Sequence, residues 1–163
     1  MGFWYKSFKK FLLVVTVILT ALIVYLFGTV FTEQNYEWFL ALNKPTFQPP
    51  SWAFMLIWAI LFVLIAISAI IVLFAPSKEK KKCNLVLIVY IINALLNSLF
   101  SILFFGFHNI ELALFQLPFF LASIILMIMC SYKVNKIAAY LLIPYLLWGV
   151  YATILTVTVY FIN

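Results

Sequence analysis

The chain has 163 residues, 68% apolar and 9% charged, against roughly 45–50% and 25% in a soluble domain, so a water-soluble globule is excluded. A mean hydropathy of +1.22 leaves no room for a sizeable extramembrane domain, and at about 20 residues per span the length allows roughly five transmembrane helices in one unit, 1–163. The net charge of +6 comes from lysines alone set against four glutamates; on an integral membrane protein such an excess sets orientation and is not a nucleic-acid patch.

The first apolar run, Phe11 to Phe31, follows Lys6, Lys9 and Lys10 as a signal peptide would. It is longer than the roughly 7–15 residues of an h-region and no A-x-A site follows, so it reads as an uncleaved first helix, about 9–31. Thr32 to Ser51 is polar and proline-rich and reads as a loop. Pro45, Pro49 and Pro50 fix φ and bias their predecessors toward extended backbone, so a stiff loop is expected. Tyr36, Trp38, Phe39, Phe47 and Trp52 make the segment aromatic. Such a loop is either a lid over a cavity between helices or an aromatic belt at the headgroups, and the residues alone leave both open.

The second helix, about 52–75, stops at Pro76 and carries Trp58 and Phe62 one turn apart. The lysine cluster 78–82 leads into a third, about 83–105, on which Asn93, Asn97 and Phe100 share a face. An amide in hydrocarbon must find a partner, so both asparagines are expected to face the bundle, as interhelical hydrogen bonds or toward a ligand. Gly106 to Asn109 breaks the chain before the fourth helix, about 110–132, where Gln116 is the only strongly polar side chain. Lys133 to Lys136 separates it from the fifth, about 137–162, where Trp148, Ala152 and Leu155 share a face. Pro118 and Pro144 are expected to kink these two helices, since each lacks an N–H and crowds the carbonyl four residues back. Uninterrupted apolar character, without period-2 alternation, excludes a barrel.

With the N-terminus inside, the inner segments carry Lys6, Lys9, Lys10, Lys78, Lys80, Lys81, Lys82, Lys133 and Lys136, and the outer ones only Lys44. That asymmetry predicts the N-terminus in, the C-terminus out and the first loop outside. Cys83 and Cys130 then lie near the inner boundary, in a reducing compartment, and no disulfide is expected. One histidine, His108, and no CxxC argue against a metal site. No charge lies well inside a span, which argues against a proton pump, a voltage sensor or an ion-coupled transporter. No acid, base or nucleophile constellation is present, so any chemistry must come from a ligand.

Trp38, Leu42, Lys44-Pro45 and Pro49-Pro50, followed by Trp58, resemble the first loop and second helix of the translocator-protein family, the tryptophan-rich sensory proteins. The likeness continues in Asn97, Phe100 and Phe104-Phe105-Gly106, and in the stretch from Leu142 to Thr153 that contains Trp148. The resemblance implies a five-helix bundle enclosing a pocket capped by the first loop. It implies porphyrins such as protoporphyrin IX, together with hydrophobic drug-like molecules, as ligands within the lipid bilayer, and no covalently bound cofactor. The candidate ligand-binding residues are Trp38, Phe39, Pro49, Trp58, Phe62, Asn93, Asn97, Phe100, Gln116, Trp148, Ala152 and Leu155. Trp58 and Trp148 match the tryptophans implicated in light-driven porphyrin degradation.

Three departures stand out. Phe39 replaces a frequent tyrosine and loses its phenolic hydrogen bond; Gln116 replaces a common aspartate; and Tyr160 lacks the basic residue that the sterol pattern needs, so cholesterol is not expected. A Lys, Ile, Asn and Phe bias without arginine points to an AT-rich bacterial source and hence to a bacterial cytoplasmic membrane. The leading function is a membrane receptor or sensor for tetrapyrroles. Light-dependent porphyrin degradation and ligand transport are the alternatives, and Ala94, Ser98 and Ser101 leave a homodimer open despite the lack of GxxxG.

Overall fold

The computed structural model describes residues 2–75 and 80–163, and the side chains of 8, 10–75 and 85–163. Pro76, Lys78 and Glu79 lie outside the described residues, as do the side chains of Lys6, Lys9, Lys80–Lys82 and Cys83. The regular elements described are helices: α1 (Gly2–Gln34), α2 (Tyr36–Ala41), α3 (Ser51–Leu73), α4 (Lys80–Ser101), a π-helical turn (Ile102–Gly106), α5 (Ile110–Tyr132), α6 (Lys136–Tyr140) and α7 (Ile143–Ile162). Five helical stretches are long and apolar enough to cross a membrane: Lys10–Gln34, Ser51–Leu73, Leu85–Gly106, Ile110–Tyr132 and Lys136–Ile162. In hydrocarbon only a helix or a closed barrel satisfies its own backbone, and these apolar runs take the helical solution. The molecule is an integral membrane protein.

Local chemistry explains most of the boundaries. Asn109 caps α5 by accepting from the Leu112 N–H at 2.9 Å, and Glu111 lies in the first turn, where the helix dipole favours it. Asn135 caps α6 through Ile137 and Ala138. Residues 36–41 contain no proline and form the short α2, so the irregular loop runs only from Leu42 to Pro50, with a turn at Thr46–Phe47 closed by Gln48 N–H to Pro45 O at 3.0 Å. The end of α4 widens into the π turn, closed by Phe107 N–H to Ile102 O at 2.8 Å, which buries the adjacent Phe104 and Phe105 together. His108, at φ 54°, turns the corner into α5.

The two prolines behave differently. α5 continues through Pro118, which sits on its exposed side. At Pro144 the expected kink is a break: α6 stops at Tyr140, and Pro144 occupies the first turn of α7, where a missing N–H costs nothing. Leu142 N–H turns to Ala139 O at 3.1 Å. The freed Ala138 carbonyl accepts instead from Ser68 Oγ of α3 at 2.6 Å. Ser68 in turn accepts from Tyr90 Oη at 2.6 Å, and Tyr90 lies 3.1 Å from Ser131 Oγ. One hydroxyl chain therefore ties α3, α4, α5 and the break.

Three apolar clusters lie along the bundle. One, around Val72, Val86, Met127 and Leu142, occupies the end far from the first loop; Leu61, Leu117, Phe120, Ile124 and Tyr145 form the middle; Phe104, Phe105, Ala113 and Val159 form the loop end. Lipid is as apolar as leucine, so close packing and buried hydrogen bonds, not exclusion of water, hold such helices together. At Gly149 a Cβ would stand 3.2 Å from both Ile124 Cδ1 and Leu121 Cδ2, so α5 and α7 approach closely there. By contrast, α1 contributes only Val24 to the buried set among its described side chains. The loop-end half of its inner face, from Val24 to Glu33, looks onto space.

Candidate functional site

That space is a cavity of about 400 Å³ in the loop-end half of the bundle, within the range of ligand pockets. α1 contributes Tyr25, Gly28, Thr29 and Thr32, a stripe at three- and four-residue spacing, with Glu33 at its end. α3 brings Phe54, Trp58 and Phe62, again one turn apart. α4 and the π turn add Asn97, Phe100, Ser101, Phe104 and Phe105, α5 adds Leu117 and Phe120, and α7 adds Ala152, Leu155, Thr156 and Val159. Phe39, Gln48 and Pro49 of the first loop also line it.

The walls are rings in mutual contact. Trp58 and Phe62 lie 5.8 Å apart, Tyr25 meets Phe62 edge-on at 5.9 Å, and Phe100 stacks on Phe104 at 5.5 Å. Flat apolar ligands suit such walls, because offset and edge-to-face ring contacts add to the burial of apolar area. The exposed members of the lining, Glu33, Tyr36, Ser51 and Met55, sit at the loop ends of α1 and α3. The cavity therefore opens between these helices. Tyr36 Oη and Ser51 Oγ, 3.4 Å apart, are joined across the opening.

The loop is fastened at both flanks. Tyr151 Oη of α7 donates to Phe47 O at 2.7 Å, and Asn43 N–H donates to Asn163 Oδ1 at 2.8 Å while Asn163 Nδ2 returns to Asn43 O at 3.1 Å. On the other side Trp38 stacks on His108 at 4.3 Å and meets Phe104 edge-on at 5.5 Å. His108 Nε2 is 2.9 Å from Asn35 Oδ1. Lys44 holds its ammonium 4.5 Å from the Phe39 ring centre, a cation–π contact.

Of the residues singled out from sequence, Phe39, Pro49, Trp58, Phe62, Asn97, Phe100, Ala152 and Leu155 line the cavity together. Trp38, Asn93, Gln116 and Trp148 are not in its lining. Trp38 braces the loop, as above. Trp148 stands behind Phe54 at 5.4 Å and beside Tyr151 at 5.1 Å, with its indole N–H buried and unpartnered. Gln116 is buried and donates to Leu96 O at 2.9 Å, leaving Oε1 without a partner. Asn93 is buried at the centre of a network: its Oδ1 accepts from Tyr145 Oη at 2.9 Å and its Nδ2 donates to Ser123 Oγ at 2.7 Å. Asn97 Nδ2, 3.4 Å from the same phenol, connects that network to the cavity wall.

Sequence reading missed the α1 stripe, Phe54 and the fully buried Tyr145. The stripe had a signal, since Gly28, Thr29 and Thr32 are small or hydroxylated at helical spacing within an apolar run. Tyr145 had none apart from lying next to Pro144. No cluster of three or more potential metal ligands occurs among the described residues.

Comparison with known proteins follows the same lines. Residues 14–162 match the TspO/MBR family. The chain is 36% identical over 126 residues to Tryptophan-rich protein TspO of Bacillus cereus, covering 77% of this chain and 80% of the relative. It is 28% identical over 117 residues to the Tryptophan-rich sensory protein of Cereibacter sphaeroides, covering 72% and 71%. It is 27% identical over 127 residues to human Translocator protein, covering 78% and 75%.

Proposed function

This chain belongs to the TspO/MBR family of membrane sensors and receptors, and from that premise we propose that its cavity binds tetrapyrroles such as protoporphyrin IX and other flat hydrophobic ligands. The observation that carries the reading is the cavity of about 400 Å³ walled by Trp58, Phe62, Phe100 and Phe104. A flat apolar ring gains stacking and buried area there, and Asn97 offers an amide at the wall. The lysine distribution supports the first loop and the C-terminus on the outer side, and the Lys, Ile, Asn and Phe bias without arginine supports a bacterial cytoplasmic membrane.

Titration of the purified protein with protoporphyrin IX in the dark tests the reading, with ligand absorbance and tryptophan fluorescence as readouts. Saturable binding is expected, lost in Ala152→Phe, which fills the space from α7, while helix content stays at the parent level. No saturable binding, or equal binding by the filled variant, would overturn it.

A second reading, light-driven loss of bound porphyrin, is favoured by one observation: the Trp58 indole lines the cavity. Indole is the most readily oxidised of the abundant aromatic side chains and can donate an electron to a photoexcited ring in contact with it. The chemistry is then the ligand's, and the protein supplies position.

A further inference from the structure

We propose that the cavity also takes one hydrocarbon chain of a membrane phospholipid, admitted sideways through a slit between α1 and α3 from the leaflet on the side of the first loop. Only the cavity itself is needed for this, and tetrapyrrole binding stands or falls separately.

The slit follows from where α1 and α3 touch. Val17 of α1 packs against the inner apolar cluster, and Tyr25 meets Phe62 of α3 edge-on at 5.9 Å, so the seam is closed up to the middle of the membrane. Beyond that contact α1 turns only Gly28, Thr29 and Thr32 toward the cavity before Glu33. The exposed lining residues Glu33, Tyr36, Ser51 and Met55 all lie along this edge. Across it, among the described residues, the one hydrogen bond joins Tyr36 Oη and Ser51 Oγ at 3.4 Å. The first loop above is tied to α7 more firmly, by Tyr151 to Phe47 O at 2.7 Å and by Asn163 to the Asn43 backbone. Entry from lipid parts one long hydroxyl pair, whereas entry through the loop breaks several shorter bonds.

Depth identifies the occupant. Phe62, at the floor, is the middle residue of the span Ser51–Leu73, and Val24 and Tyr25 lie close to the middle of Lys10–Gln34. From Ser51 at the mouth to Phe62 is about 16 Å of helix, close to half of the ~30 Å hydrocarbon core. The cavity therefore runs from headgroup level to the bilayer centre, as a chain of that leaflet does. An apolar void facing lipid forfeits dispersion contacts along its walls, and a chain from the adjoining leaflet restores them without leaving hydrocarbon. The threonine hydroxyls it would pass are already satisfied: Thr29 donates to Leu26 O at 2.8 Å, Thr32 to Gly28 O at 2.9 Å and Thr156 to Ala152 O at 2.8 Å. At the rim, the level of a phospholipid's ester carbonyls, the Tyr36 or Ser51 hydroxyl can donate to one of them.

The test uses the full chain in nanodiscs that contain a phosphatidylcholine with a diazirine halfway along one chain. Illumination releases nitrogen and leaves a carbene that inserts into the side chains it touches, and mass spectrometry of peptides locates the adducts. Adducts are expected on Trp58, Phe62 and Phe100, which line the cavity, as well as on the exposed Leu56, Ile60 and Val63 of α3. Gly28→Leu and Ala152→Phe fill the cavity from α1 and from α7. A Cβ at Gly28 stands 3.4 Å from Ser101 Oγ, an ordinary contact, so the larger side chain has room to enter. Each variant is expected to lose the cavity adducts and keep those on Leu56, Ile60 and Val63, which together with parent helix content show that it is folded. Adducts confined to the exposed set in the parent would overturn the inference, as would cavity adducts undiminished in both variants. Labelling of the cavity by a diazirine fatty acid but not by the phospholipid would overturn the phospholipid as occupant. Protoporphyrin IX is expected to displace the chain, and saturable binding that leaves the cavity adducts unchanged would also overturn the inference. If protoporphyrin IX does not bind while both fillings abolish the cavity adducts, the tetrapyrrole reading fails and the phospholipid site stands.

Discussion

Trp58 and Trp148 look equivalent in the sequence and are not equivalent in space. Trp58 lines the cavity, whereas Trp148 is separated from it by Phe54 at 5.4 Å. If an indole supplies the electron for light-driven porphyrin loss, Trp58→Phe should slow that loss steeply and Trp148→Phe less, while dark affinity stays within about tenfold, or 1.4 kcal/mol. Absorbance decay under illumination decides it: parent-like rates in both variants and in the double variant would end the electron-donor reading. The buried amide gives a second residue-scale prediction. Asn93→Ala leaves the Tyr145 and Ser123 hydroxyls without their partner and should cost about 1–2 kcal/mol. A double-mutant cycle with Tyr145→Phe in detergent unfolding should return a coupling near 0.6 kcal/mol or above; additive losses would mean the bond contributes nothing.

At the scale of elements, stability and loop position depend on a few close approaches. Gly149 lets α7 lie against Leu121 and Ile124 of α5, where a Cβ would already be tight at 3.2 Å from both side chains. Gly149→Val should therefore force the pair apart and destabilise the protein by about 1–3 kcal/mol, read as a lower midpoint of thermal unfolding; an unchanged midpoint would show that the contact relaxes freely. The first loop depends on a different tie. Asn163 exchanges hydrogen bonds with the Asn43 backbone in both directions. Asn163→Ala removes both and should raise hydrogen exchange at Asn43 and its neighbours, leaving α3 and α5 as protected as before. Exchange equal to the parent's would assign the loop's order to its other ties, Asn43 Nδ2 to Ile162 O at 3.2 Å, Tyr151 and Trp38 among them.

For the whole molecule, orientation is an electrostatic property of the chain ends and turns. Nine lysines, from Lys6 to Lys136, fall on one side of the five spans and Lys44 on the other. A reporter that is active only outside the cytoplasm should therefore work when fused after Asn163 and fail at the turn around Lys133. The reverse pattern would invert the molecule, placing the cavity mouth at the inner leaflet. The mouth lies at the loop ends of α1 and α3, so orientation also decides from which leaflet a ligand enters.

Local properties were readable in advance. Hydrophobic length set the five spans, because a backbone in hydrocarbon has to satisfy itself within each segment. The amide rule turned Asn93 and Asn97 inward, and helical period put Trp58 with Phe62 and Ala152 with Leu155 on single faces. Those are relations within one helix. Which face meets which neighbour is a relation between helices, and only packing decided it. The rotation of α7 placed Ala152 and Leu155 on the cavity and Trp148 behind Phe54, although all three share a face. α1 became a cavity wall where Tyr25, Thr29 and Thr32 face space that no neighbouring helix fills. Pro144 broke its helix where Pro118 did not, and the difference again lies outside the local sequence: the Ala138 carbonyl released at the break found the hydroxyl of Ser68, seventy positions earlier in the chain, and no rule of local propensity reaches that far.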